Sequence, residues 1–169
     1  MRSIKDIINQ TSADYIQDKD VIIEMLKDAF CEEMLAWYQY IVITPFLVGK
    51  ERVAIQNDYL ENAKDELEDH GYWLLERINQ LGGTFAGIES PEDWNRVATH
   101  KYIMPNLTDT KTSVLQMIEA EKGAIETYER IIEFVKDKDH VTYKKLIDIL
   151  ADEQEHLQEM QDFYADICA

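Results

Sequence analysis

The chain has 169 residues, 46% of them hydrophobic, which suffices for one domain with a buried core and no need of a disulfide or structural metal for folding. A formal net charge of −17 argues against a nucleic-acid-binding protein, because phosphate contacts need clustered lysine and arginine, and it favours cations as ligands. There is no apolar run of the ~18 residues that a transmembrane helix needs, no signal-peptide pattern, and only two cysteines. We therefore expect a cytoplasmic protein that binds neither membranes nor nucleic acid.

Helical periodicity runs through the chain, and no segment alternates like a strand. Residues 1–18 are predicted to form an N-terminal arm with a helical turn or two. The four predicted bundle helices span 19–47, 52–81, 109–136 and 140–166. The connection at 82–110 is long enough to run from one end of a bundle to the other, and Ser90-Pro91 within it is a typical start of a short helix. The sequence predicts one all-α domain over 1–169, an antiparallel four-helix bundle with a long crossover between helices 2 and 3, a possible short helix in the crossover and no fifth helix.

Each predicted helix carries one glutamate in a stripe of otherwise apolar residues. In the fourth helix, Leu150, Glu153, Leu157 and Met160 follow one another at steps of three and four, which is the spacing of a face buried in a bundle. The corresponding glutamates of the first three helices are Glu33, Glu66 and Glu121. A carboxylate at such a position must be neutralised or bound.

The four glutamates are expected to lie at one height in the bundle. Glu33 and Glu66 have their midpoint at 49.5, and Glu121 and Glu153 have theirs at 137. Both midpoints fall in the turns that join antiparallel helices, so the members of each pair face each other. Four buried carboxylates repel one another unless cations lie between them. Two divalent ions would cancel their charge.

A histidine follows two of these glutamates on the same helix face. His70 comes four residues after Glu66, and His156 comes three residues after Glu153. A glutamate from each of two helices and a glutamate–histidine pair from each of the others is the ligand set of a dinuclear carboxylate site, and it suits iron or manganese better than structural zinc. The predicted metal ligands are Glu33, Glu66, His70, Glu121, Glu153 and His156.

Four segments of the chain resemble the helix motifs of the ferritin-like di-iron proteins, in particular bacterioferritin and the Dps-like proteins with a bacterioferritin-type site, which are called thioferritins. The segments are residues 33–40, 66–70, 120–125 and 152–156. The resemblance covers residues 19–166. It implies a ferritin-like bundle, two iron ions per subunit, with manganese or zinc as substitutes in the isolated protein, and a homo-oligomeric shell of 12 subunits.

Three features depart from the family pattern. Glu66 and His70 are one residue further apart than usual. Either the helix contains a bulge, or Glu68 or Asp69 replaces one of the ligands. Leu67 stands where bacterioferritin has its haem-binding methionine, so no haem is expected. The fifth helix of ferritins and bacterioferritins is missing, which looks like the dodecameric Dps architecture.

Several other residues have two interpretations. Tyr40 matches a tyrosine of bacterioferritin, and it is a candidate catalytic residue as an electron donor or as a hydrogen-bond partner of a metal ligand. The resemblance to thioferritins implies a cysteine pair beside the metals. Cys31 lies near the height of the glutamates, but Cys168 lies roughly 22 Å further along the fourth helix, so we expect no direct disulfide and favour a packing role over a redox role for Cys31. His100 and His140 are expected to be solvated or capping residues.

The resemblance implies a ferroxidase. Two Fe(II) ions would bind between the carboxylates, each giving one electron to hydrogen peroxide or dioxygen, and Fe(III) would be stored in a hollow shell as protection against oxidative stress. The Dps-like group suggests hydrogen peroxide as the preferred oxidant. One alternative is a rubrerythrin-like di-iron peroxidase or oxidase without storage, although no Cys-x-x-Cys motif is present to supply electrons. The other is a non-catalytic DNA-protecting shell protein, against which the acidic charge and the lack of a basic tail count.

Overall fold

The first half of the bundle consists of two long helices joined by a short turn. The computed structural model describes residue 4 and residues 11–169, and for Ser12 only the main chain. The first bundle helix, α1, spans Lys19–Ile43. The second is continuous but changes geometry along its length: α2 (Arg52–Lys64) leads into a π-helical segment (Asp65–Gly71), and α3 (Tyr72–Gln80) follows.

The second half begins after a crossover that contains a short helix, α4 (Pro91–Val97). The third and fourth bundle helices are α5 (Thr110–Val135) and α6 (His140–Cys168). Residues 11–169 contain no strand, and none of the helices described is both long and apolar enough to span a membrane. The all-α, ferritin-like fold with a long crossover and a short helix within it is confirmed.

The observed helix ends show which local signals stop and start the bundle helices. The helix α1 ends at Ile43 rather than at residue 47, because Thr44-Pro45-Phe46 forms a 3-10 turn and proline has no N–H to continue the helix. Asp109 caps α5, where its side chain accepts the main-chain N–H of Thr112, and Asp139 caps α6, where its side chain accepts those of Val141 and Thr142. Of the predicted N-terminal arm, residues 1–3 and 5–10 lie outside the described residues, and Ser12–Tyr15 forms one 3-10 turn.

A layer of buried polar residues divides the core of the bundle into two apolar clusters. The cluster on one side includes Leu26, Phe30, Leu74, Ile78, Tyr128, Ile131, Leu146 and Ile149. The cluster on the other side includes Tyr40, Ile43, Ile55, Tyr59, Val114, Met117 and Met160. Together they hold the four helices rigidly above and below the polar layer, so that the side chains in this layer are fixed in position.

Two carboxylates of α1, one turn apart, anchor the crossover. Asp28 accepts hydrogen bonds from the main-chain N–H of Thr99, at 2.6 Å, and from its hydroxyl, at 2.8 Å, and pairs with Arg130 of α5 at 2.5 Å. Glu32 accepts the main-chain N–H of His100 at 2.9 Å and lies 3.1 Å from its ring nitrogen Nδ1. These contacts hold residues 99 and 100 over the seam between α1 and α5.

A buried ion pair joins the end of the second bundle helix to the turn between α5 and α6. Arg77 donates to both carboxylate oxygens of Asp139, at 2.7 and 2.8 Å, and to the hydroxyl of Thr142 at 2.8 Å. Burial raises the pKa of Asp139, but the hydrogen bonds from Arg77 and Thr142, together with the charge of Arg77, outweigh it and hold this pKa below its usual range. The pair fixes the height of α6 relative to α3, and therefore the register of their inward-facing residues.

Candidate metal centre

The six predicted ligands meet in the polar layer between the two apolar clusters. Each of them is at most 5% exposed. Their oxygen and nitrogen atoms form two groups of four, and within each group the atoms lie within 4.8 Å of one another. One group is Glu33, Glu66, His70 and Glu153, and the other is Glu66, Glu121, Glu153 and His156. Glu66 and Glu153 belong to both groups, so two ions held in these groups would share their carboxylates.

The surroundings of His70 are difficult to explain by hydrogen bonding alone. Its Nδ1 atom lies 3.1 Å from Glu66 Oε2, 3.1 Å from Glu153 Oε1 and 3.3 Å from Glu33 Oε2. A ring nitrogen carries at most one proton and donates to one acceptor at full strength. Three carboxylate oxygens around one nitrogen are the arrangement expected around a shared cation.

His156 has the equivalent place in the second group, with longer distances. Its Nδ1 atom lies 3.5 Å from Glu66 Oε1 and 3.9 Å from Glu153 Oε2. The rings of His70 and His156 are 6.2 Å apart, centroid to centroid. The two imidazoles therefore flank Glu66 and Glu153, the two glutamates that both groups share.

Several buried atoms of the centre have no hydrogen-bond partner among the described residues. They are Glu66 Oε1, Glu153 Oε1 and His156 Nδ1. Polar atoms in protein cores are nearly always paired, and the neighbours of these three lie near enough but outside hydrogen-bond geometry. Unpaired oxygen and nitrogen atoms that lie close together without donating to one another fit two bound divalent cations. The donor set of carboxylates and imidazoles suits iron or manganese.

The π-helical segment resolves the unusual spacing between Glu66 and His70. It spans Asp65–Gly71, so the helix widens over this stretch and both side chains point into the core, while Glu68 and Asp69 are exposed. The bulge, and not a ligand replacement by Glu68 or Asp69, is the alternative that the structure supports. Gly71 makes room for it, since a Cβ there would lie 2.9 Å from the main-chain carbonyl oxygen of Glu66, which cannot move aside, as well as 2.7 Å from the flexible end of Met34.

An aspartate stands behind each histidine. The outer nitrogen of His70, Nε2, lies 3.3 Å from Asp152 Oδ2, and that of His156 lies 3.9 Å from Asp65 Oδ2. At 3.3 Å, Asp152 can accept a hydrogen bond from the outer N–H of His70, which leaves the inner nitrogen free to bind a cation. The 3.9 Å between His156 and Asp65 is too long for a hydrogen bond. Asp152, behind His70, directly precedes Glu153, and Asp65, behind His156, directly precedes Glu66. Each half of the centre therefore places an aspartate near the histidine of the other half.

Two buried tyrosines hold Glu33 and Glu121, the glutamates that belong to one group each. The hydroxyl of Tyr40 on α1 donates to Glu121 on α5, and the hydroxyl of Tyr128 on α5 donates to Glu33 on α1. Asn62 donates to the Tyr40 hydroxyl at 3.5 Å. Of the two roles considered for Tyr40, this contact corresponds to the hydrogen-bond partner of a candidate ligand.

A family model for the ferritin-like domain matches residues 23–168. The chain belongs to the ferritin-like family. Family membership and the buried cluster of carboxylates and histidines together support iron binding.

Solved structures and a curated relative place this ferritin-like protein among thioferritin and Dps neighbours. It superimposes with a TM-score of 0.87 on the bacterioferritin-related protein of Bacteroides fragilis, described as a dodecameric thioferritin, with 33% identity over 93% of this chain and 94% of that one. A DNA protection during starvation protein of Pyrococcus furiosus is 29% identical over 82% of this chain and 74% of its own length. Dps from Thermosynechococcus elongatus shares the fold, with a TM-score of 0.78 and 18% identity. The superposition covers 86% of this chain and 90% of that one.

Burial and mutual repulsion control protonation in the ferritin-like centre. Burial, with the charges of Glu66 and Glu33 added, raises the pKa of Glu153 to about 8. Burial and neighbouring carboxylates likewise raise the pKa values of Glu66 and Glu121. Burial opposes a charge on His70, but Glu33 and the other carboxylates around it raise its pKa overall. The metal-free centre therefore retains protons that arriving cations must displace.

The face between α2 and α6 carries an acidic cavity directly outside the centre. The cavity has a volume of about 190 Å³ and reaches His156. Its acidic lining residues are Asp58, Glu61, Asp65, Asp152, Glu155 and Glu159. Burial, and for Asp58 the nearby Glu61, raise the pKa values of Asp58 and Glu159. This face attracts cations to within one side chain of the centre.

The remaining sequence candidates lie outside the two groups of candidate ligands. His140 is exposed as the first residue of α6, and His100 binds Glu32. Cys31 is fully buried and Cys168 is exposed, and both are free thiols. Burial raises the pKa of the Cys31 thiol to about 12, which favours the packing role over a redox role.

Sequence reasoning missed three contributors to the centre. Tyr128 follows Glu121 by seven residues, the same interval that separates Tyr40 from Glu33, so the repeated spacing could have revealed it. Asp65 and Asp152 each stand directly before a glutamate that both groups share. The repeated Asp-Glu dipeptide was the available signal.

Proposed function

We propose that this ferritin-like protein is a ferroxidase of the Dps-like type that oxidises Fe(II) with hydrogen peroxide or dioxygen and stores Fe(III) in a hollow shell. The observation that carries the proposal is the pair of overlapping ligand groups, which share Glu66 and Glu153. One group alone would fit many metalloproteins. Two groups with common carboxylates fit two neighbouring ions that react together.

The proposed residues that hold the substrate iron are the six buried side chains. One Fe(II) would be bound by Glu33 and His70 and the other by Glu121 and His156, with Glu66 and Glu153 between them. When bound, the two Fe(II) ions give one electron each, so that one hydrogen peroxide molecule takes up two electrons and two protons and leaves as two waters.

The protein's own contribution is placement and proton management. Tyr128 and Tyr40 orient Glu33 and Glu121 through their hydroxyls, so that both non-bridging carboxylates are fixed before iron arrives. Protons held by Glu153 at neutral pH are released when iron binds. The two apolar clusters exclude bulk water above and below the polar layer.

We propose that Fe(II) approaches from the acidic cavity between α2 and α6. Six acidic residues surround this cavity, and His156 belongs both to its lining and to the candidate centre. An ion would exchange hydration water for carboxylate oxygens stepwise, which lowers the cost of entering a buried site. The net charge of −17 adds long-range attraction for cations.

We propose a shell of about 12 copies, as described for the thioferritin of Bacteroides fragilis. Large apolar side chains are exposed on α1 and along the second bundle helix, where they are available to neighbouring subunits. They include Tyr38, Ile41, Val53, Leu60 and Leu67. The shell would protect cells from peroxide by removing it together with Fe(II), and two free thiols suit the reducing cytoplasm.

The chemistry is tested by anaerobic titration with Fe(II), followed by rapid mixing with hydrogen peroxide. We expect about two Fe(II) per chain to bind tightly and to be oxidised in one fast phase. Glu153→Ala and His156→Ala should abolish this phase, while Glu129→Ala, which removes an exposed carboxylate of α5, should leave it unchanged. Oxidation at the unmutated rate in both centre variants would show that the reaction occurs elsewhere.

The shell is tested separately by native mass measurement of the purified protein. We expect an assembly of about 12 chains. A stable dimer that still oxidised two Fe(II) per chain would rule out storage and favour the rubrerythrin-like alternative. The two experiments thus test the metal centre and the assembly independently.

A further inference from the structure

A second cavity reaches the centre from the side opposite the acidic one. It has a volume of about 370 Å³ and lies between α1 and α5, beneath the crossover. Its inner wall includes the candidate ligands Glu33, Glu66 and Glu153. Its outer end includes Lys101 and Ile103, both exposed, the latter by 54%. The cavity therefore connects the surface with the buried carboxylates.

The lining of this passage differs in chemistry from the acidic cavity. Between the rim and the centre its walls include Leu35, Ala36, Ala120 and Ala124, so apolar and small side chains keep the space open. Gln39, Thr99 and Gln116 add polar groups to the lining, but these groups are uncharged, and the stretch of Leu35 and three alanines provides fewer oxygen ligands than the six carboxylates of the acidic cavity. Loss of hydration water therefore costs a divalent ion more here than on the acidic side. A small uncharged molecule bears no comparable cost.

The charged groups along the passage outside the centre are mostly paired. Glu32 is held through its Oε1 atom by His100 at 3.1 Å, whereas its buried Oε2 atom has no hydrogen-bond partner among the described residues. Glu119 at the rim pairs with Lys122 at 2.7 Å. Lys101 stands at the mouth as a fixed positive charge, since its ammonium group donates to the carbonyl oxygen of Arg96 at 3.1 Å. A cation that approached this mouth would meet a positive charge and few free carboxylates.

The crossover wall of the passage is fixed by close packing. The ring of His100 lies directly over Gly123 of α5, where a Cβ would come within 2.8 Å of the ring. The absence of a side chain at Gly123 and the contact with Glu32 together hold the imidazole at the edge of the cavity rather than inside it. The opening is therefore a property of the packed fold.

We propose that this passage admits the small uncharged oxidant, hydrogen peroxide or dioxygen, while Fe(II) reaches the centre from the acidic side. The inference rests on the proposed ferroxidase function and adds a separate route for each substrate. With two routes, Fe(II) ions bound in the acidic cavity do not block the access of the oxidant to the centre. They also keep the oxidant away from Fe(II) that has not yet reached the centre.

The test narrows the passage and measures both substrates separately. In Ala124→Leu, a larger apolar side chain fills part of the passage, and Ala54→Leu makes the same change at an exposed position of α2. The rate of Fe(II) binding is measured while each protein is loaded with Fe(II) in the absence of oxygen. We then measure how fast the loaded protein is oxidised by hydrogen peroxide and, separately, how fast it binds nitric oxide, an uncharged diatomic probe. For Ala124→Leu we expect unchanged Fe(II) binding and about tenfold slower reaction with both small molecules, equivalent to ~1.4 kcal/mol. Ala54→Leu should match the unmutated protein.

The outcomes separate this inference from the proposed function. Equal nitric oxide rates in Ala124→Leu and the unmutated protein would overturn the oxidant route, and so would a variant in which only Fe(II) binding slows. If the unmutated protein binds Fe(II) but does not reduce peroxide, the ferroxidase proposal fails, and the nitric oxide rates still decide whether the passage admits small neutral molecules. Ala36→Leu, on the facing wall, provides a second narrowing if Ala124→Leu does not fold.

Discussion

In the metal-free protein, the free energy of unfolding should fall as the pH rises from about 4.5 to about 8. This direction is opposite to the usual effect of carboxylates paired with cations, which stabilise a protein more as the pH rises. Glu153 has a pKa of about 8 in the folded, metal-free centre, against 4.5 as its ordinary value. Between these values the folded chain binds a proton that the unfolded chain has lost. Unfolding is then favoured by rising pH. Glu66, Glu121 and His70, whose folded pKa values are also raised, change stability in the same direction.

The size of the effect follows from proton linkage. One proton bound by the folded state alone contributes about 1.4 kcal/mol to the free energy of unfolding per pH unit. For Glu153 alone, a rise from about pH 5.5 to about pH 7.5 should lower this free energy by ~3 kcal/mol at most, since relaxation of a buried site reduces such shifts. Divalent cations replace the protons, so saturating Mn(II) should restore the stability most strongly at the upper end of the range.

The measurement is urea unfolding followed by circular dichroism at fixed protein concentration, with chelator or with Mn(II), across this pH range. Glu153→Gln should flatten the pH dependence of the metal-free protein and weaken the response to Mn(II). Glu129→Gln, which changes an exposed carboxylate, should do neither. A metal-free protein whose stability rises with pH over this range would show that the buried carboxyls are not protonated when folded, and the electrostatic account of the centre would be wrong.

Two further variants test the supports of the centre. Tyr128→Phe should weaken Fe(II) binding roughly tenfold in an anaerobic titration, because Glu33 loses its hydroxyl partner, while Tyr59→Phe removes a buried hydroxyl without a partner among the described residues and should bind Fe(II) normally. Arg77→Met should lower the free energy of unfolding by about 3–5 kcal/mol, because a buried carboxylate loses its cation. Arg96→Met breaks an exposed pair, and no measurable change in urea unfolding is expected.

The shared height of the four glutamates could be predicted from the sequence because it depends only on helical rise and on the positions of two turns. Helices of regular rise with short connections place Glu33 opposite Glu66 and Glu121 opposite Glu153, whatever the details of packing. The six proposed ligands therefore follow from counting residues. Their actual convergence still required the apolar clusters and the ion pair of Arg77 with Asp139 to hold the helices in register.

The parts that could not be predicted depend on contacts between segments distant in sequence. The spacing of Glu66 and His70 allowed a bulge or a change of ligand, and the π-helical geometry of Asp65–Gly71 became visible only in the folded helix, where it packs beside Met34 of α1. The ring of His100, in the crossover, packs over Gly123 of α5, and the periodicity of neither segment predicts this contact. The passage beneath the crossover was for this reason absent from the sequence interpretation.

The two halves of the centre are related in sequence but differ in geometry. Each half provides a glutamate, a glutamate–histidine pair, an aspartate and a tyrosine that reaches the opposite half, yet only the half with His70 contains the π-helical segment. The wider turn brings the Nδ1 atom of His70 to 3.1–3.3 Å from three carboxylate oxygens, whereas the nearest oxygens to that of His156 are at 3.5 and 3.9 Å. His156 also borders the acidic cavity. His156, with the longer distances to carboxylate oxygens, thus lies beside the proposed entry of Fe(II), whereas His70, with the shorter ones, lies further from it. In the proposed function, this order lets a cation enter at His156 and be held more tightly at His70.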